Sequence, residues 1–336
     1  MKLKFDIIDK ISIGFTFAIF IGVISSYINL GMLSVFFSVI MPLLFLCNTL
    51  LAIYGLFKKK YFYITGTLLY LFCFTFFFQV SYTPKDKDNN TVSILSYNVR
   101  AFQQYISKNK NASTEIIKFI DSIGADIVVF QESSYKDSRN VQGYPYHFLG
   151  YRAHIDKSLL TIYSKYPIIN KGFIDFPNSK NNAIYADIKI NEDTLRVYNA
   201  HLQSYVISPY ILTQKYSDFS YWKSLNSKIK KQVEQARLIK HHANKTNNNV
   251  IICGDFNATP YSQTYRILKK NFKDSYLSSG NGFGETYSRL YYPLRLDYFL
   301  SSGNINVINH YNYDVNLSDH EPISIKFKIK QDTLKH

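Results

Sequence analysis

Six short stretches of the chain each end in side chains that can handle protons, oxyanions or metal ions. They are Asn98 in LSYNVR, Glu132 in VVFQES, His201 in YNAHLQS, Asp255 and Asn257 in CGDFNATP, Asp297 in RLDYFLSS, and Asp319 with His320 in SDHEP. In every case an apolar run delivers one or two such groups to its end. One instance would be ordinary turn chemistry, because strands often stop at Asp or Asn. Six within one domain describe the rim of a site. Hard oxygen ligands select Mg2+ or Mn2+, which neutralise charge on phosphoryl oxygens. A His oriented by a carboxylate does the same from the other side, and a carboxylate near the metal can take a proton from water. The three cysteines, Cys47, Cys73 and Cys253, supply no cluster for a Cys-based metal site.

The runs that must position these groups alternate between strand and helix patterns. Residues 92–99, 126–130, 159–163, 183–190, 194–200, 250–253, 296–301 and 323–329 read as strands. Residues 113–123 carry Ile116, Ile117, Ile120 and Ile123 at helical spacing, and 225–243 reads as a second helix whose basic face holds Lys228, Lys230, Lys231 and Arg237. About 240 residues after the N-terminal quarter are enough to bury a full two-layer core as one domain.

The ordered set, GDFN with SDH near the C-terminus above all, resembles the endonuclease/exonuclease/phosphatase superfamily over essentially all of residues 92–330. The resemblance implies an α/β (α+β) fold, a four-layer αββα sandwich of two mixed β-sheets with helices on both outer faces. It also implies hydrolysis of a phosphodiester or phosphomonoester with Mg2+ or Mn2+ as cofactor. By the same match Glu132 is the principal metal ligand, Asn98 helps to position it and the phosphate, and Asp319 is a second metal-side ligand. Asp255 orients and deprotonates the attacking water, Asn257 holds a phosphate oxygen, His320 stabilises phosphoryl charge, and Asp297 orients His320. His201 matches a histidine of the sphingomyelinase-like and phosphatase branches. Arg289 and Arg295, in the loop 283–295, are candidate phosphate contacts. One departure stands out: apurinic endonucleases carry a second carboxylate where this chain has Arg100, which argues against abasic-site repair. A phospholipid or sphingolipid headgroup and nucleic acid are the rival substrates, and a catalytically silent membrane scaffold is the alternative from another class.

The N-terminal quarter differs in kind. Residues 11–57 and 61–80 contain no Asp, Glu, Lys or Arg, so the mean hydropathy of -0.13 averages an oily quarter with a polar remainder. The runs 11–30, 33–57 and 61–80 are each long enough, as helices, to cross a hydrocarbon core of about 30 Å. They predict a membrane anchor over residues 1–80, a linker at 81–91 and the lipid bilayer as partner, with no obligate protein partner. Lys2, Lys4 and Lys10 precede the first run and Lys58, Lys59 and Lys60 follow the second, which places those ends in the cytoplasm. Three spans would then send the catalytic domain to the extracytoplasmic, periplasmic side of an inner membrane. The net charge of +15 suits an anionic substrate. An aromatic-rich segment, 205–224, with Tyr205, Tyr210, Tyr216, Phe219, Tyr221 and Trp222, could enter a lipid interface or stack on bases.

Overall fold

A computed structural model describes residues 5–81, 91–103, 111–152, 156–205, 218–287 and 292–330, with Gln103 and Phe219 in backbone only. Residues 82–90 of the linker expected at 81–91 and much of the aromatic segment therefore fall outside the described residues. The chain forms two compact units. The first combines Met1–Phe77 with Tyr205–Val233 and Ala258–Arg266, and the second combines Phe78–Ser204, Glu234–Asn257 and Ile267–His336.

In the first unit, α1 (Ile7–Ser25) starts at a reciprocal capping box between Asp6 and Asp9, and α2 (Met32–Phe57) runs back alongside it. Both are long and apolar enough to cross a membrane. The third run does not match its expectation. It forms a 3-10 turn at Tyr61–Ile64 and α3 (Thr65–Cys73), and the chain becomes extended at Phe74. Those two pieces span only about 21 Å, short of a hydrocarbon core. The cause lies in the residues beyond Cys73: Phe74, Thr75, Phe76, Phe77 and Phe78 are aromatic or β-branched and lose side-chain freedom in a helix. Their rings pack edge to face instead, Phe76 and Phe77 at 5.7 and 6.1 Å from Phe45, and Phe74 at 5.3 Å from Tyr261.

Pro42 lies inside α2 and has no N–H, so the Ser38 carbonyl four residues earlier has lost its helical donor. The Thr259 hydroxyl donates to that carbonyl at 2.9 Å. Further hydrogen bonds fasten the same unit at the α1–α2 connection. The Gln263 amide donates to Tyr27 O at 2.6 Å, Arg266 Nη2 to Ser26 Oγ at 2.9 Å, and the Met32 N–H to Asn226 Oδ1 at 3.1 Å. Helix α6 (Phe219–Ala243; α4 and α5 are placed below) contributes its first part here.

The second unit is built on two mixed six-stranded sheets. One contains β1 (Val92–Asn98), β2 (Ile127–Gln131), β3 (Tyr146–Leu149), β4 (Thr161–Ser164), β11 (Ile305–Asn312) and β12 (Ile323–Ile329), in the order β11-β12-β1-β2-β4-β3. The other contains β5 (Ile168–Ile174), β6 (Asn182–Ile190), β7 (Asp193–His201), β8 (Asn249–Asp255), β9 (Lys273–Asp274) and β10 (Asp297–Ser301), in the order β5-β6-β7-β8-β10-β9. Ile94, Ile127, Val129 and Ile162 of the first sheet pack with Ile184, Val197, Ile251 and Phe299 of the second to form the central core. β1 and β2 are parallel and joined through α4 (Ala112–Ile123), which covers their outer face by placing Ile116 and Ile120 against Leu95, Tyr97, Val128 and Phe130. Burial on both faces explains why β2 reads as an apolar run rather than a strict alternation. Short helices α5 (Tyr135–Ser138), α7 (Gln263–Lys269) and α8 (Ser275–Ser279) complete the described elements.

Across the middle of the sandwich a buried amide pair joins the sheets. Gln131 Nε2 donates to Asn199 Oδ1 at 2.7 Å, and Asn199 Nδ2 donates to Phe130 O and Thr161 O at 2.8 and 2.9 Å. Buried amides are costly unless satisfied, so this pair fixes how the sheets face each other just beneath the strand ends.

Candidate active site

Strand register assembles the centre of the site. In the parallel pairing of β7 with β8, His201 lies opposite Asp255, and in the antiparallel pairing of β8 with β10, Asp297 lies opposite the same Asp255. Three neighbouring strands, about 4.8 Å apart, thus end on a His, an Asp and an Asp. Gly254 makes this possible. Its φ is +119°, and a Cβ there would sit 2.2 Å from Ala200 O, so only glycine lets β8 approach β7 so closely at the position before Asp255.

Asp255 is 1% exposed, and its Oδ2 is the hub. The Asn98 amide donates to it at 3.0 Å and the Asn257 amide at 3.1 Å. His320 Nε2 and His201 Nε2 lie 3.6 and 3.7 Å away. Its Oδ1 accepts the Asn257 N–H at 2.8 Å, which turns the backbone into the left-handed region at Asn257 (φ 48°) and directs that residue's amide also to Leu202 O at 3.0 Å. On the far side of His320, Nδ1 lies 2.8 Å from Asp297 Oδ2. The carboxylates of Asp255 and Asp297 and the His320 ring offer atoms within 4.8 Å of one another. With Nδ1 already engaged by Asp297, the geometry is that of an imidazole clamped between two carboxylates.

The electrostatics follow from this clamp. Burial opposes charge on His320, yet Asp297 and Asp255 override it and raise its pKa to about 10. Burial pushes the Asp255 carboxyl up, Asp297 adds to that push, and His320 and His201 oppose it. At neutral pH the imidazole is therefore the cation of the cluster.

Glu132 borders the hub with a different exposure. It follows β2 in the left-handed region (φ 48°), its side chain is 40% exposed, and its Oε1 has only long contacts, 3.3 Å from the Asn98 amide and 3.4 Å from His201 Nε2. The second His201 nitrogen, Nδ1, lies 3.3 Å from Ser158 Oγ. Arg100, Ala101 and Phe102 also have positive φ, and the Ala101 N–H donates to Glu132 O at 2.5 Å, so the loop after β1 is tied to the residue after β2. Left-handed backbone at non-glycine residues concentrates at functional sites, where the surroundings hold the strain. Arg100 Nη1 lies 3.5 Å from Asp319 Oδ2, so the sequence departure at this position puts a cation beside the expected second metal-side ligand.

Asn98, Glu132, His201, Asp255, Asn257, Asp297 and His320 are thus joined by direct contacts, and Asp319 adjoins them through His320 and Arg100. Arg295 is placed elsewhere. It is 6% exposed, its Nη1 lies 3.0 and 2.8 Å from the two oxygens of buried Asp274, and its guanidinium packs on the rings of Tyr276 and Tyr298. A guanidinium committed to a buried carboxylate is a structural ion pair, which corrects its expected role as a phosphate contact. Arg289 lies outside the described residues.

Two residues that the motifs do not mark also belong to the site. Thr286 is fully buried, and its hydroxyl accepts the backbone N–H groups of Leu296 and Asp297 at 2.9 and 3.1 Å, holding the start of β10. Tyr287 pairs through its backbone with His320 and meets its ring edge to face. The only sequence signal for them is their place in the loop that runs into Asp297.

Paired sheets that carry carboxylates, amides and clamped imidazoles at one end define a hydrolase of phosphoester bonds. The chain belongs to the endonuclease/exonuclease/phosphatase family, whose model matches residues 95–320, more than half of its length. Among solved structures it is similar to an endonuclease/exonuclease/phosphatase family protein from Bacteroides thetaiotaomicron, with TM-score 0.55 and 16% identity over 72% of this chain and 98% of that one. A protein of the same description from Beutenbergia cavernae gives TM-score 0.56 and 14% identity over 72% of each chain. D. rerio TDP2, complexed with a single-strand DNA product, gives TM-score 0.56 and 17% identity over 71% of this chain and all of that one. At these identities the likeness is one of fold. No curated protein matches the chain.

Proposed function

We propose that the protein is a membrane-anchored, divalent-metal-dependent phosphoesterase acting outside the cytoplasm on a phospholipid or sphingolipid headgroup. The observation that carries the chemistry is the Asp255 hub between the Asp297–His320 pair and the Asn98–Glu132 edge. Glu132, Asn98 and Asp319 would hold Mg2+ or Mn2+, which when bound supplies neutralisation of charge on the phosphoryl oxygens. The residues fit such an ion: Glu132 keeps accessible oxygens, the donors are hard, and burial of Asp255 among further carboxylates leaves negative charge that a cation would offset.

The chain's own groups divide the remaining work. Asp255, oriented by two amides, accepts the proton of the attacking water. Asn257 offers its amide to a phosphoryl oxygen. Protonated His320, held by Asp297, stabilises charge as it builds on the phosphoryl group. His201 sits between Glu132 and Asp255 and supports both.

The Lys-rich ends of α1 and α2 favour the cytoplasm, so the uncharged α1–α2 connection faces outward. Gln263, Arg266 and Asn226 hydrogen-bond that connection, and hydrogen-bonded partners share one side of a bilayer. The chain then has to cross between Lys60 and Asn226. Residues 61–77 do so as a short helix followed by irregular backbone, which is tolerable at membrane depth because Phe76 and Phe77 pack on Phe45 of α2. An anchored enzyme on that face meets bilayer phosphoesters first, which favours lipid headgroups over nucleic acid.

The test is a substrate panel with the full-length protein in nanodiscs: sphingomyelin, phosphatidylcholine, inositol phosphates, plasmid DNA and RNA, each with Mg2+ and with EDTA. Mg2+-dependent release from a lipid headgroup is the expected result. Cleavage of DNA or RNA alone would replace the substrate assignment, and no hydrolysis of any ester would favour the binding-scaffold reading.

A further inference from the structure

We propose that Tyr287 is a substrate-contacting residue of this site, its ring bracing the His320 imidazole and its hydroxyl donating to a non-bridging phosphoryl oxygen. The inference rests on the site as read above but assigns a group that none of the sequence motifs contains.

The backbone fixes where this tyrosine is. Thr286 and Tyr287 both donate to Leu294 O, at 2.9 and 3.1 Å, and the Glu321 N–H donates to Thr286 O at 2.8 Å. Tyr287 is thereby bridged on one side to the strand leading into Asp297 and on the other to His320 itself. The two residues that form the carboxylate–imidazole pair are held to the same short segment.

The side chain uses that position. Its ring meets the His320 ring edge to face, with centroids 5.0 Å apart and planes at 66°, a favoured aromatic geometry. An imidazole braced on one face by Tyr287 and hydrogen-bonded at Nδ1 by Asp297 has little freedom to rotate. The hydroxyl is half-buried, and after burial the groups acting on it are Asp319, Arg100, Asp255 and Glu132, which border the site from the segment before β12 and from the C-terminal ends of β1, β8 and β2. Burial and the carboxylates hold its pKa above the ordinary tyrosine value, so it is a donor at neutral pH. A neutral O–H donor amid carboxylates suits a dianionic or monoanionic phosphoryl group, which the carboxylates alone would repel.

The experiment compares Tyr287→Phe and Tyr287→Ala with the unsubstituted full-length protein in nanodiscs. Inorganic phosphate is the binding probe, read by calorimetry with Mg2+ present, and bis(4-nitrophenyl) phosphate is the kinetic probe. Tyr287→Phe keeps the ring, so it should weaken phosphate binding and raise KM by about tenfold while changing kcat little. Tyr287→Ala should add a fall in kcat, because His320 loses its brace. Phosphate binding unchanged in a folded Tyr287→Phe protein overturns the hydroxyl contact, and unchanged kcat in a folded Tyr287→Ala protein overturns the brace. If the unsubstituted protein hydrolyses no phosphoester, the proposed function fails by itself, whereas the Tyr287 contact is still judged by the phosphate titration.

Discussion

The two units satisfy polar groups in apolar surroundings by different means. In the second unit, the carboxylates and imidazoles sit at the ends of adjacent strands, and register alone brings His201, Asp255 and Asp297 together. In the first, polar needs arise inside helices and are met one at a time: Thr16 and Leu44 O partner the Asn48 side chain, and Thr259 partners the carbonyl that Pro42 orphans. A sheet edge is a repeated solution, so losing one member leaves its neighbours in place. A helix carbonyl satisfied by a single hydroxyl depends on that one contact.

The largest expected effect separates the site from its scaffold. Removing divalent metal with EDTA should abolish hydrolysis and leave the fold intact, with full recovery on adding Mg2+ or Mn2+; undiminished activity in chelator would refute the metal assignment. Arg295→Ala should do the reverse. It strands buried Asp274 without its partner, which costs about 3–5 kcal/mol of stability, while KM of the protein that still folds stays unchanged. A raised KM with normal stability would return Arg295 to the phosphate contacts.

A smaller effect probes the first unit. Thr259→Val should lower stability by about 1–3 kcal/mol by leaving Ser38 O unsatisfied. Pro42→Ala restores the helical N–H for that carbonyl, so the double substitution should recover most of the loss. Equal losses in Thr259→Val and the double variant, followed by thermal melting in detergent, would show that the hydroxyl serves something else.

Much of the site was legible because strand ends carry it. The apolar runs that end at Glu132, His201 and Asp255, and the one that starts at Asp297, each mark both a strand and its candidate site residue, and the expected boundaries of β6, β7 and β12 agree with the structure to within a residue or two. Strands such as β5 and β11 escaped notice because their faces are half polar, which blurs the alternation. The third apolar run misled for a physical reason: hydropathy reports how oily a segment is, whereas its helix length depends on where consecutive aromatics stop the helix. Arg295 misled differently. Its place beside a catalytic motif was visible, but the buried carboxylate that claims it, Asp274, lies 21 residues away in the chain.

The pH dependence of kcat reports on the clamp that holds His320 between Asp297 and Asp255. The His320 pKa is raised from the ordinary 6.5 to about 10, so its stabilising charge is fully present below the ordinary value and is lost as pH rises through about 10. Asp255 moves upward too, so activity is lost on the acid side as its carboxylate takes a proton. The measurement is steady-state kinetics of full-length wild-type and His320→Ala proteins, on whichever phosphoester the substrate panel identifies, from acid to pH 11. The account predicts a basic limb near pH 10 in the wild type, together with a kcat at least ~10²-fold lower in His320→Ala, with little change in KM and no such limb. Near-wild-type turnover in a folded His320→Ala protein, with the basic limb intact, would contradict it.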